Sequence, residues 1–357
     1  TMSIMYKKML VALAMYSCHS ATAQQDSIFT KQLDQVVVTA TKFPTKTAET
    51  GKVITIIDQA VLSRSLGKDL SQVLTEQAGL VINGATSNPG KDKSVFLRGA
   101  KNDYTVILVN GIPVTDPSGV GGAFDLRLFP IEQIERIEIL KGAQSTLYGS
   151  DAIAGVINII TRKGAGKPAQ LFGNASFGSF DTKKFYVGLN GQAEKVSYNV
   201  GFTHHESKGI SEAVDTAAVK TFDKDGFLQH AFNFGVDAEV SDGLTIKPYF
   251  RYSYFRGDFD DGSFADANNK NKATLLSTGT IANYKFNLGS VTAQFAYDEM
   301  ARIYTTSFGT SEFDGRNKLA EIYGQFTLSK HIQLMAGIDH RNQRMMEPDT
   351  TMKITSP

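Results

Sequence analysis

The 357-residue chain is long enough for about two domains, and its 37 Lys and Arg against 36 Asp and Glu leave a net charge of +1, no basis for nucleic-acid binding. A single cysteine, Cys18, excludes an internal disulfide framework. Mean hydropathy is −0.17 and no 18-residue apolar run follows the N-terminus, which excludes a helical membrane span. With 32 Gly, 23 Phe, 13 Tyr and no Trp, the composition leaves a soluble β protein or a transmembrane β-barrel, whose strands signal weakly.

Residues 1–23 read as a secretory signal peptide. Lys7 and Lys8 precede the apolar MLVALAMY, and Ala21-Thr22-Ala23 supplies a cleavage site after Ala23; a buried N-terminal helix is the blander alternative. Residues 24–51 form a segment of their own, polar from Gln24 to Lys31 and then β-branched through Asp34, Gln35, Val36, Val37, Val38, Thr39 and Ala40. Two uses fit this strand-competent run. It can be offered, exposed, to the sheet of another protein, where main-chain hydrogen bonds supply affinity, or it can be the first strand of the domain that follows.

Residues 52–164 predict a compact α+β domain. KVITIID is a strand, and DQAVLSRS and KDLSQVLTEQAG are short amphipathic helices, the second with Leu70, Val73 and Leu74 at helical spacing and Gly79 as its stop. LVIN, SVFLRG and YTVILVNGIPV add strands, and Asn110-Gly111 between alternating apolar residues is a hairpin signal. IEQIERIEIL leads through the glycines 142, 149 and 155 to VINIIT, a buried closing strand. The glycine-rich loops Ala85–Lys93 and Asp116–Gly122 carry no nucleophile–base pair, and PSGVGGAF lacks the Gly-Lys-Ser/Thr ending of a phosphate loop. Nothing here predicts an enzyme.

From residue 165 to 357 the polarity alternates with period two, in segments separated by turn residues. Nine strands are predicted: Ala169–Gly178, Lys183–Gly191, Lys195–Glu206, Leu228–Val240, Leu244–Arg256, Lys272–Asn287, Ser290–Thr305, Lys318–Ser329 and Ile332–Arg344. Short connections alternate with longer ones, the longest being Ser207–Phe227 and Gly257–Asn271, as in an outer-membrane barrel. A β-sandwich, as in an exported adhesion or carbohydrate-binding module, alternates too. A barrel in lipid must close, and about eight strands enclose little beyond their own side chains, so these nine are expected to be part of a larger barrel.

The two long loops are acidic. The first ends in TFDKDGF, with Asp223 and Asp225, and the second carries Asp258, Asp260, Asp261 and Asp266. Carboxylates gathered at one rim repel one another unless neutralised, and calcium takes about six to eight oxygens at roughly 2.3–2.6 Å. The residues alone favour the plainer reading of a solvated acidic loop. His204 and His205 beside Glu206 point to opposite faces of a strand and predict no metal site.

Together these features resemble the TonB-dependent outer-membrane receptors. DQVVVTA (34–40) is similar to the TonB box, VFLRG and LVNG to two motifs of the plug domain, and IERIEILKGAQSTLYGSDAIAGVINIITRKG to its ending. The resemblance implies a plug followed by an antiparallel barrel of 22 strands in outer-membrane lipid, about thirteen of them beyond this chain, and a periplasmic TonB partner for Asp34–Ala40. The likeness is greatest to the cobalamin (vitamin B12) receptors, through VVVTATKF, GVGGAFDLRLFPI, DKDGF and DFDD. It implies a small-molecule substrate on Thr86, Ser87, Asn88, Asp116, Ser118 and Gly121, and calcium on Asp223, Asp225, Asp258, Asp260 and Asp261, with Asp215 a weaker match. A ferric-siderophore or haem receptor shares the plug and the box. Two departures stand out: AVDTAAVK lengthens the first loop, and the absence of Trp leaves the membrane girdle to Tyr and Phe. Arg136, Glu138 and Lys141 are expected to be structural charges meeting the barrel wall.

Overall fold

The computed structural model describes residues 36–164, 166–216, 222–329, 332–347 and 350–356. The signal-peptide reading and residues Asp34 and Gln35 lie outside them.

The α+β domain is built on a five-stranded sheet. Its strands run in chain order after the two-residue β1 (Val36–Val37) and β2 (Thr45–Lys46): β3 (Ile54–Ile57), β6 (Thr105–Val109), β7 (Ile112–Val114), β8 (Ile134–Lys141) and β9 (Gly155–Thr161), with β4 (Leu80–Asn83) and β5 (Ser94–Leu97) forming a separate hairpin. The spatial order is β3-β8-β9-β6-β7, and only β6 and β9 are parallel. All seven residues of β9 are buried, as a continuous β-branched run requires of a central strand. Gly155 opens it at φ 153°, where a Cβ would collide with the Leu140 carbonyl and the Leu97 side chain. Asn110 and Gly111 make the turn between β6 and β7 at φ 54° and 86°, as the dipeptide predicts.

Helix α1 (Gln59–Arg64) is capped by Asp58, which accepts from the Val61 amide at 2.9 Å. In α2 (Leu70–Thr75) a capping box closes the start: Asp69 Oδ1 accepts from Gln72 N at 2.8 Å, and Gln72 Oε1 accepts from Asp69 N at 3.0 Å. Its Leu70, Val73 and Leu74 are buried in the core. A single turn, α3 (Ser145–Tyr148), links β8 to β9.

The rest of the chain is one antiparallel meander of ten strands: β10 (Gln170–Gly178), β11 (Thr182–Ala193), β12 (Val196–Ser207), β13 (Phe227–Ser241), β14 (Leu244–Phe259), β15 (Asn269–Phe286), β16 (Gly289–Thr306), β17 (Gly309–Ser329), β18 (Ile332–Glu347) and β19 (Thr350–Ser356). A single continuous sheet replaces the sandwich alternative. The nine expected strands are present, and two details change. Strand β17 starts at Gly309 rather than Lys318, because GTSEFDGRN is polar on both faces yet continues the ladder from Thr306↔Gly309. Strand β19 is a tenth, paired with β18 from Glu347↔Thr350 to Arg341↔Ser356.

One face of the meander carries Phe227, Phe255, Ala273, Leu275 and Met300 into the same buried core as the α+β domain. The other face is exposed and apolar, with Val187, Phe202, Phe232, Phe295, Ile322 and Ile338. A row of rings crosses five strands near one rim: Phe177–Phe185 (5.6 Å), Phe185–His204 (6.1 Å), His204–His230 (5.0 Å) and His230–Tyr254 (6.4 Å). Near the opposite rim, Phe286 packs on Tyr284 and Phe326, each at 6.0 Å. An apolar band between two aromatic rows is the outer surface of a transmembrane barrel. The girdle uses Phe and Tyr as expected, and two histidines join it.

Candidate functional site

Val36, Val37, Val38, Thr39 and Ala40 are not a free strand. Val36 and Val37 pair with Lys46 and Thr45, and Val37, Thr39 and Ala40 are fully buried. The anchor is Glu138. Its Oε2 accepts from Val38 N and Thr39 N, each at 3.0 Å, and from the Thr39 hydroxyl at 2.6 Å. Asn158 Nδ2 donates to Thr39 Oγ1 (3.1 Å), Tyr148 donates its hydroxyl to Thr39 O (2.9 Å), and Lys52 Nζ donates to Ala40 O (2.8 Å). Burial pushes the Tyr148 hydroxyl well above its ordinary pKa and lowers that of Lys52.

The expectation that Glu138 meets the barrel wall is therefore corrected. Alternation puts Glu138 opposite Ile137 and Ile139, on a face that reads as exposed, but residues 38–40 cover it. Arg136 binds Glu138 (2.9 Å) and Glu135 (3.1 Å), and Lys141 donates to the Ala78 carbonyl (2.7 Å). Beside this seat, Lys42 meets the wall: it binds Glu321 of β17 and lies 4.8 Å from the Tyr323 ring centre.

At the rim of the long loops, Thr86 and Ser87 are exposed, whereas Asn88 is buried against the loop after β12. Asn88 Nδ2 donates to Ile210 O (2.5 Å) and its Oδ1 accepts from Ile210 N (3.2 Å). Lys91 binds Glu212 at 2.7 Å, and Gly90 lies so close to Gly257 of β14 that a Cβ on it would fall 2.9 Å from the Gly257 Cα. Asp116 is fully buried and bound to Arg302 of β16, while its Oδ1 accepts from Ser118 N at 3.0 Å. Arg302 also reaches Asp125 (3.0 Å), which Arg127 holds at 2.7 Å. Burial pushes the Asp125 carboxyl up, but Arg127 and Arg302 more than offset this and hold it far below the carboxylate range. Asn88 and Asp116 thus have barrel partners, which sequence spacing could not reveal. Thr86, Ser87 and Gly121 stay exposed and Ser118 half-buried.

Among the described residues, carboxylate oxygens of Asp223, Asp260 and Asp266 lie within 4.8 Å of one another. Asp260 accepts from Ala213 N (2.6 Å) and Ala267 N (2.8 Å). Asp225 is buried beside it and accepts from Glu212 N at 2.6 Å. Burial, with Asp260 nearby, pushes its pKa up to about 7. Burial and then Asp266 also raise that of Asp223. The Oδ1 atoms of Asp223, Asp225 and Asp258 are buried without a hydrogen-bond partner. Asp261 is exposed and accepts from Asn269 Nδ2 (2.7 Å), and Asp266, also exposed, is the third carboxylate of the cluster. An oxygen-only set with orphaned carboxylate atoms fits a hard cation. His205 faces the α+β domain and His204 the outside.

Residues 46–156 match the family model of the TonB-dependent receptor plug domain. The vitamin B12 transporter BtuB of Vibrio vulnificus is 25% identical over 357 residues, covering 95% of this chain and 55% of that protein. The BtuB protein of Vibrio cholerae is 31% identical over 209 residues, 57% of this chain and 33% of that one. The chain thus spans about half the length of the Vibrio vulnificus relative. A crystal structure of a mutant ferric enterobactin receptor, PfeA of Pseudomonas aeruginosa, superposes with a TM-score of 0.69 at 19% identity, covering 88% of this chain and 51% of that one, which shows a common fold. The α+β domain matches the plug domain of TonB-dependent receptors over residues 46–156, and the meander that follows shares its fold with the ferric enterobactin receptor.

Proposed function

We propose that the protein imports cobalamin or a related corrinoid across the outer membrane, with calcium ordering its external loops and TonB drawing on the Asp34–Ala40 segment. The observation that carries this reading is the link between the acidic cluster and the plug. The Glu212 amide binds Asp225, the Glu212 side chain binds Lys91, and Ile210 clasps Asn88. A cation held by Asp223, Asp260 and Asp266, with Asp225 and Asp258 beside them, would cancel their repulsion. It would thereby fix residues 208–213 against the plug loop that presents Thr86 and Ser87. The two relatives named as vitamin B12 transporters support the corrinoid.

The cycle needs no covalent chemistry. Cargo settles on the exposed plug loops, Val38 and Thr39 leave their seat on Glu138 so that the segment can add a strand to TonB, and pulling remodels the plug. Equilibrium binding of cyanocobalamin to the purified protein, with calcium and with chelator, tests the reading. Tighter binding in calcium is expected; equal affinity rejects the aspartate assignment. Binding of ferric enterobactin in place of cyanocobalamin would transfer the protein to the siderophore receptors.

A further inference from the structure

At the short-turn end, far from the acidic loops, the plug and the wall line a cavity of about 310 Å³. Strand β14 lines it with Lys247, Tyr249 and Arg251, which share one face by the two-residue period. Lys163 of the plug ending and Lys285 of β15 join them. Arg251 is only 6% exposed, yet no hydrogen-bond acceptor and no carboxylate within 4.0 Å meets its guanidinium among the described residues. The Tyr249 ring lies 4.3 Å away, and Asp298 attracts the guanidinium over a longer distance. That ring is held in place because position 279 is glycine: a Cβ there would fall 2.7 Å from the Tyr249 hydroxyl.

Buried charges are ordinarily paired, because desolvating a lone ion is costly. The nearby acids do not supply the pair. Asp237 is shared by Lys247 (3.3 Å) and Lys163 (3.7 Å). Asp298 lies two strands away, opposite the Ser277 that faces Arg251. The two remaining cations of the lining, Lys42 and Arg136, are bound to Glu321 and Glu138. Lys285 has no carboxylate within reach among the described residues. The chamber therefore holds an excess of positive charge around a rigid, planar donor fork with room in front of it.

We infer that this chamber is a binding site for a small oxyanion, a phosphate or carboxylate group, with Arg251 as its bidentate contact and Lys247 and Lys285 as supporting charges. The site is separate from the external loops and does not depend on which cargo they bind. A free anion and an anionic group on a passing cargo present the same atoms.

Titration of the purified protein with inorganic phosphate, followed by calorimetry, tests the site. Saturable binding is expected, with Arg251→Gln weakening it by about 10- to 100-fold, the loss of a charged hydrogen-bond pair, and Lys247→Gln by a few-fold. Lys270→Gln, at the opposite rim, should leave it unchanged. Arg251→Lys keeps the charge without the fork and should fall between wild type and Arg251→Gln, which separates recognition from folding should Arg251→Gln fail to fold. Displacement of phosphate by cyanocobalamin, which carries a phosphodiester, would assign the site to cargo; saturable phosphate binding without displacement would assign it to a free anion. Non-saturable phosphate binding, or equal affinity in folded Arg251→Gln, overturns the inference.

Discussion

Replacing Glu138 by alanine should free the N-terminal segment while leaving the plug folded. The carboxylate accepts three hydrogen bonds from residues 38 and 39. Val38 is half-buried, so its amide can turn to water, but Thr39 is fully buried. Counting only the Thr39 amide and hydroxyl, at about 1.5 kcal/mol each for a bond to a charged group, the loss is about 3 kcal/mol, or roughly a hundredfold rise in the open population. Tyr148 and Lys52 still hold the Thr39 and Ala40 carbonyls, so opening remains local. Hydrogen exchange reads this directly. The Thr39 amide should lose protection by roughly two orders of magnitude, while that of Ile157, in the middle of β9, should not change. Glu138→Gln, which keeps one acceptor oxygen, should fall between. Thr39 protection within about threefold of wild type in Glu138→Ala would refute the assignment of Glu138 as anchor.

Val37→Pro removes a ladder donor in any strand that residues 36–40 form and should abolish energised uptake while leaving cargo binding intact; normal uptake would reject strand pairing with TonB. Arg302→Met leaves Asp116 buried beside no cation and should cost about 3–5 kcal/mol in urea unfolding. Adding Asp116→Asn should recover much of that loss, and strictly additive losses would show that the two side chains are not coupled. Asp225, raised to about 7 against an ordinary value of about 3.9, keeps its proton in the folded state between those values, so stability without metal falls as pH rises through that window. Calcium needs the carboxylate, so its affinity should climb about tenfold from pH 6 to pH 8 in a calcium titration; a flat profile would remove Asp225 from the cation's surroundings.

Periodicity and glycine made most of this fold readable. Nine of the ten strands of the meander followed from alternation, and the Asn110-Gly111 turn and the closing strand β9 from local signals. Where polarity stopped alternating, prediction failed: residues 309–317 are hydrophilic on both faces yet form the start of β17. The site was less legible because its partners are remote. Asp116 meets Arg302 across 186 residues of sequence, and Asn88 meets Ile210 across 122, so neither contact leaves a local mark. Glu138 is the sharpest case. Its alternation is that of an exposed residue, and only the return of residues 38–40 over that face buries it. That Asp266 lies beside Asp223 and Asp260 depends on how one loop turns, which the cluster of acids could not specify.

The shallow hairpin of β1 and β2 has a mechanical consequence. It closes through two residue pairs, Val36↔Lys46 and Val37↔Thr45. Tension applied ahead of Val36 peels them one after the other, so each breaks alone and at low force. The next elements to take load are the Val38 and Thr39 bonds to Glu138, which share it and resist together. Glu138 belongs to β8, flanked by β3 and β9, so the force enters the plug sheet in its interior. Lys42, which binds Glu321 of the barrel, comes later along the chain. A pull is thus spent first on a yielding latch and then on the interior of the plug's own sheet.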